Sequence, residues 1–249
     1  MKVSGGMRYN LIMNTTYGLR AELQGYPWKD IAEEFEVHGI KIKVAVGIME
    51  VGYDKQEDGA KAKKIAQLYL NSQSLRNGKR ITADFNHAWR PNTAGGRDLS
   101  MTLNDQINMN DRLQVQSQTH QASITGRAYI VNAQMHDSAS FTNDSAMVDK
   151  ALKDKVLAEA LDYFSKEVVN NDRPLYDVYK SVEVITKHLG EGGRKKLAAL
   201  AGKPVKYVSD LMETTNSKRH AVTDARKLLE DNECKDRAKV LIEAYASTI

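Results

Sequence analysis

The chain has 249 residues, 41 % of them apolar and 27 % charged, with a net charge of +4 from 36 basic and 32 acidic side chains. That length suits two domains of ordinary size, and the apolar content excludes disorder. The surplus is spread evenly, 17 basic against 15 acidic residues up to Ser145 and 19 against 17 after it, so no basic tail marks the chain for nucleic acid. Cys234 is the one cysteine, which rules out an intrachain disulfide. No segment reaches the run of about 18 apolar residues that a membrane-spanning helix needs, and MKVSGGMRYN lacks an apolar signal core. A soluble, cytoplasmic protein that does not engage a membrane is expected.

From the start to about Asn143 the hydrophobic pattern has period two. Tyr9, Leu11 and Met13 alternate with polar neighbours, as do Leu19, Ala21 and Leu23, and the Asn14–Gly18 stretch between them has hairpin-loop chemistry. Residues 40–51 read as the strongest strand, with Ile40, Ile42, Val44, Val46 and Ile48 on one face. Further alternating runs are Ile81-Ala83-Phe85, Leu99-Met101-Leu103, Leu113-Val115 and Ile124-Ala128-Ile130. About seven short strands of this kind predict a β-sandwich or a partly open barrel. Two helical patterns interrupt them. Trp28, Ile31, Ala32 and Phe35 have the spacing of a short helix or a capping turn, and residues 57–75 place Ala62, Ile65, Ala66 and Tyr69 on the apolar face of an amphipathic helix. Asn86–Gly96 reads as a long loop in which Trp89 is either a hydrophobic plug, the favoured reading, or an exposed contact.

Residues 132–146 are polar and turn-rich, and after them the period changes to 3.6. One helix is expected over 145–170. A second carries Leu175, Val178, Val182, Ile185 and Leu189, with Pro174 in its first turn. A short third one holds Leu197 and Leu200 and is closed by Gly202. A fourth follows Pro204 with Val205, Val208, Leu211 and Met212. A fifth, capped by Asn216 or Ser217, buries Ala221, Ala225, Leu228 and Leu229. The sixth spans about 235–247. The fold class is therefore α+β, with a β-sandwich-like domain at 1–143 containing one or two helices and an antiparallel helical bundle at 144–249.

The chain carries none of the common phosphate-loop, dinucleotide, nucleophile-elbow or zinc-protease signatures, and no helix places a carboxylate and a histidine at metal-ligand spacing. The reading includes no cofactor and no metal. Its candidate site is the polar run Thr214-Thr215-Asn216-Ser217-Lys218-Arg219-His220. If a helix begins there, its free N–H groups, with Lys218 and Arg219, would hold a phosphate, and His220 would act as a general acid or base. Thr215 and Asn216 would position the backbone. The bland alternative has Asn216 or Ser217 as a cap and Arg219 paired with a carboxylate such as Glu183. Arg194-Lys195-Lys196 opens the short third helix as a second basic cluster, either a solvated face or a phosphate contact. Tyr176, Tyr179 and Tyr207 flank the apolar stripes, where they either pack or stack on bases.

The stretches NDRPLYDVYKSVEVI at 171–185 and TTNSKRHA at 214–221, with the helix from Asp224 to Leu229, resemble the helical HEPN superfamily found in prokaryotic defence and stress proteins. That resemblance implies a bundle that commonly dimerises and has RNA as its ligand or substrate. Cleavage would be metal-independent, with Arg219 stabilising phosphate charge and His220 moving protons. Active members separate the Arg and His by a short run, whereas Arg219 and His220 are adjacent; Arg80 and His87 keep such a gap but lie in the other domain. Two functions are expected from this. One is an RNA-binding or RNA-cleaving component of an anti-phage or toxin-like system. The other is a non-catalytic sensor or scaffold that dimerises through its bundle and binds a partner protein or ligand with its β domain.

Overall fold

The structure, a computed structural model, describes residues 15–25, 32–45, 47–78, 80–91, 97–101, 139–166, 175–219 and 229–249. It is α+β. Strands β1 (Tyr17–Gln24), β2 (Ala32–Val37), β3 (Ile40–Ala45), β4 (Ile48–Tyr53), β5 (Thr82–Pro91) and β6 (Arg97–Met101) form one antiparallel sheet in the order β2-β3-β4-β1-β5-β6. Helix α1 (Gly59–Asn77) connects β4 to β5. The C-terminal helices are α2 (Ala139–Lys153), α3 (Lys155–Lys166), α4 (Tyr176–His188), α5 (Gly193–Leu200), α6 (Val205–Arg219) and α7 (Asp231–Ala246). Among the described residues no helix is long and apolar enough to cross a membrane.

The run expected as one strand over 40–51 is two strands. Ala45 pairs with Ile48 across a two-residue turn that ends in Gly47, whose φ is 75°, so the chain reverses where a left-handed residue is available. The turn also inverts the parity of the inward positions. Ile40, Ile42 and Val44 face the core from β3, and Met49, Val51 and Tyr53 do so from β4. His38 and Gly39 make the preceding turn, with φ 51° and 79°, the geometry of a type I′ hairpin. The spacing read as a short helix around Phe35 is instead β2, whose Phe35 lies opposite Ile42. β5 runs on through Trp89, in place of the expected loop from Asn86, and the indole is buried over Gly18, where a Cβ would lie 1.9 Å from the ring. The plug reading of Trp89 agrees with this. The expected strands at 9–13, 113–115 and 124–130, and Trp28 and Ile31, lie outside the described residues.

Where a sandwich would place a second sheet, the inward face of β3 and β4 meets α1. Tyr69 extends the contact to β2, its hydroxyl donating to Glu33 Oε2 at 2.7 Å and its ring 5.2 Å from that of Phe35. Ala62, Ile65 and Ala66 are buried on the sheet side, as the amphipathic pattern predicts, but Leu68 to Leu75 are buried all round. The cause is that α2 and α3 pack on the other side of the helix. The buried side chains of the sheet, α1 and the C-terminal helices accordingly form one continuous core across the expected boundary at 143.

The single helix expected over 145–170 is broken at Asp154. Its carboxylate accepts from the Leu157 N–H at 2.7 Å, as an N-cap does, and from the Tyr245 hydroxyl at 3.0 Å. Two lysines close helix ends on neighbouring helices, Lys150 on the Ala246 carbonyl and Lys239 on the Arg76 carbonyl, each at 2.7 Å. The stripe Leu175, Val178, Val182 and Ile185 is buried as expected, and so are Ala238, Leu241, Ile242 and Tyr245. Leu200 and Val205, expected inside, are 40 % and 43 % exposed. Pro174 and the apolar positions Ala221, Ala225 and Leu228 lie outside the described residues.

Because α1 belongs to both halves, the protein should unfold in one transition. Tryptophan fluorescence reports the sheet half, which holds Trp28 and Trp89, and far-UV dichroism is dominated by the helices; the two midpoints should coincide. Leu70→Ala, at a site 1 % exposed between sheet and bundle, should lower stability by about 2–5 kcal/mol and move both midpoints together. Separated midpoints would show two independent cores.

Candidate functional site

The sequence places its site in a loop at the start of a helix. The structure places that stretch inside α6, which runs unbroken from Val205 to Arg219. A threonine tolerates a helix interior when its hydroxyl bonds a carbonyl one turn back. Thr214 Oγ1 donates to the Asp210 carbonyl at 2.6 Å, and Thr215 Oγ1 to the Leu211 carbonyl at 2.9 Å. Both residues are buried, so Thr215 faces the core and not a ligand. Asn216 and Ser217 are half-buried residues of the last turns of α6 and cap no helix start. Arg219 is the last residue of the helix; its side chain, and all of His220, lie outside what the structure describes.

This end-for-end change alters the electrostatics. A helix C-terminus presents free carbonyls and the negative end of the dipole, so it attracts cations and repels phosphate. Lys218 and Arg219 have the charge that such an end favours. The Lys218 ammonium meets the Asp231 carboxylate in the first turn of α7, joining the C-terminus of one helix to the N-terminus of the next. Cys234, one turn further into α7, is fully buried, and burial pushes its thiol up to about 11. Glu183, the carboxylate weighed as a partner for Arg219, is held within its own helix. Lys180 lies 2.7 Å and Lys187 3.1 Å from it, and the Tyr179 hydroxyl donates to it at 3.2 Å. Burial raises the Glu183 carboxyl, but the two lysines outweigh burial and leave it below the ordinary value, while the bond to Glu183 raises Lys180. Tyr176 and Tyr179 lie beside Lys180, and Tyr207 sits 4.5 Å under the Arg237 guanidinium, so these tyrosines have protein cations as neighbours.

Arg194 and Lys195 are exposed in the first turn of α5, as expected of a surface cluster. The α5–α6 turn and the start of α6 add one cation each. Lys203 and Lys206 are also exposed, and from Arg194 to Lys206 there are five basic residues and no acidic one. Arg194 to Lys196 are legible as a cluster in the sequence, whereas Lys203 and Lys206 stand apart from it and join it through the turn. The helix ends also border a cleft of about 320 Å³ between α1, α2 and α7, lined by Leu75, Met147, Arg76, Lys150 and Glu243 among others. That volume is at the lower edge of small-molecule sites, and its Lys150 is committed to the Ala246 carbonyl. Among the described residues no group of three His, Cys, Asp or Glu side chains is placed to hold a metal ion. Comparison of the chain with protein-family models, with curated proteins and with solved structures finds no match.

Two outcomes follow. Cys234 should resist a thiol reagent in the native protein and react fully once the chain is unfolded in denaturant; rapid native labelling would contradict its burial. Glu183 has a lowered carboxyl in the folded state, so its contribution is present above the unfolded carboxylate value of about 4.3 and is lost as pH falls through the lower folded value. In Glu183→Gln the slope of stability against pH below about 4.3 should flatten, as measured by urea unfolding at a series of pH values.

Proposed function

We propose that the chain is a non-catalytic sensor or scaffold, in which the sheet half recognises a partner protein or ligand and the helical half carries the response. The observation that supports this reading is α1, whose buried second half is shared by the two halves. A contact on the sheet that shifts α1 must repack α2 and α3, which gives a physical route from recognition to output. The alternative, an RNA-cleaving HEPN-like enzyme using Arg219 and His220, asks for a phosphate at a helix start. α6 offers a helix end there, with Thr215 turned inward and Lys218 on Asp231. Self-association through the helical half, with a cytoplasmic setting, completes the proposal.

The test is incubation of the full chain with mixed-sequence RNA, with and without EDTA, beside His220→Ala. No cleavage by either protein is expected. EDTA-resistant cleavage that disappears in His220→Ala would replace this reading with the nuclease. Light-scattering mass measurement checks the assembly part, with a mass above that of one 27.9 kDa chain as the expected result.

A further inference from the structure

The cation cluster on α5 and α6 sits on a recognisable frame. α5 has eight residues, four residues (201–204) make the turn, and α6 follows with fifteen. α4 packs against both, and the three helices share Val182, Ile185, Leu197, Ala198, Val208 and Leu211 in their core. Three positions set the geometry of the turn. Ala198 is 1 % exposed, and its small side chain lets α6 approach. Gly202, with φ 61°, closes α5 with a Schellman pair, its own N–H on the Ala199 carbonyl at 3.0 Å and the Lys203 N–H on the Ala198 carbonyl at 2.9 Å. Val208 is fully buried on the inward side of α6. Two helices joined by a short glycine-containing turn and backed by a third have the connectivity of a helix–turn–helix.

We propose that α5, the turn and α6 form a helix–turn–helix that binds duplex DNA, with the first turn of α6 in the major groove and the cations of α5 and the turn on the phosphates. This goes beyond the sensor or scaffold reading and does not rest on it. In such a unit the N-terminal residues of the second helix reach the base edges while the first helix crosses the backbone. Here the residues that face outward at the start of α6 are Val205, 43 % exposed, with the exposed Lys206 and the half-exposed Ser209. Each has a partner in the groove: lysine the acceptors of guanine, serine either kind of group, and an apolar side chain the thymine methyl. Among the described residues Arg194, Lys195 and Lys203 make no ion pair, and they are exposed where the backbone would pass. Lys196 spans both roles, its ammonium now on the Leu189 carbonyl at 2.8 Å. The carboxylates of α6 come later, at Asp210 and Glu213, so the charge of the helix favours DNA at its first turn only. Leu200 and Val205 together present too little apolar surface for a lipid bilayer to be the natural occupant.

The experiment is fluorescence anisotropy of the full chain with a labelled mixed-sequence duplex of about two helical turns. Non-specific binding with a dissociation constant of about 1–100 µM is expected, weakening about a hundredfold between 50 and 200 mM salt if about four phosphates are engaged. Arg194→Ala with Lys195→Ala should lower the salt slope by about two. Lys203→Glu with Lys206→Glu should weaken binding by at least about tenfold with an unchanged dichroism spectrum, since both side chains are exposed. Should the charge reversal disturb the fold, Lys206→Ala and Ser209→Ala take its place, with altered preference among duplex sequences as the readout. The proposal falls if no duplex is bound at about 50 mM salt, if these substitutions leave binding unchanged, or if single-stranded RNA or phosphatidylserine vesicles bind more tightly through the same residues.

Discussion

The structure depends on burying one helix from two sides. In an ordinary α+β protein a helix covers a sheet with one stripe and turns a polar face to water. The first half of α1 obeys that rule, with Lys61, Lys63 and Lys64 exposed. The second half abandons it, because α2 and α3 occupy the side that water would have taken. That burial takes in polar side chains too, and they are held by local bonds. Ser72 donates to the Tyr69 carbonyl and Ser74 to the Leu70 carbonyl, each at 2.8 Å, and Ser74 Oγ also accepts from the Ile81 N–H at 2.9 Å. The last of these bonds ties the end of α1 to the start of β5, which fixes where the sheet resumes.

Much of the architecture was legible in periodicity. The alternation of Leu19 and Ala21, the inward positions of α1 and the 3.6-residue stripes of α4 and α7 all appear where the pattern puts them. The misreadings have definite causes. An apolar run with Gly47 inside it reads as one long strand, because a two-residue turn of this kind is marked by a single glycine and by a change of parity easily taken for burial on both faces. Ala32 and Phe35 suit a helix by spacing but are drawn into β2 by pairing with β3, where Phe35 also meets the Tyr69 ring. A run as polar as TTNS looks like a loop until each threonine is given a carbonyl of its own helix, a bond that composition does not display. The break at Asp154 is hidden for a related reason, since its carboxylate serves a helix start and a tyrosine 91 residues away.

The candidate site shows how far direction matters. The same residues, Lys218 and Arg219, mean opposite things at the two ends of a helix: a phosphate cradle at the start, and a neutraliser of carbonyl charge at the finish. The sequence supports the residue types but leaves the direction open, because no apolar residue stands between Met212 and Ala221 to mark where one helix stops and another begins. Basic residues at the start of a helix do occur among the described residues, and α5 has three of them. There Gly193 lies against α4 so closely that a Cβ would come within 2.0 Å of the Thr186 carbonyl oxygen, which brings the cation-bearing turn hard onto the bundle.

The double burial of α1 also bears on how such a chain can diversify. A recombination event that cuts at the polar segment near residue 143 would deliver a foreign set of helices onto an α1 shaped for α2 and α3, leaving Leu68, Leu70 and Leu75 against the wrong surface. An exchange that kept the core intact would have to move residues 59–77 together with the helices they touch and the sheet they cover.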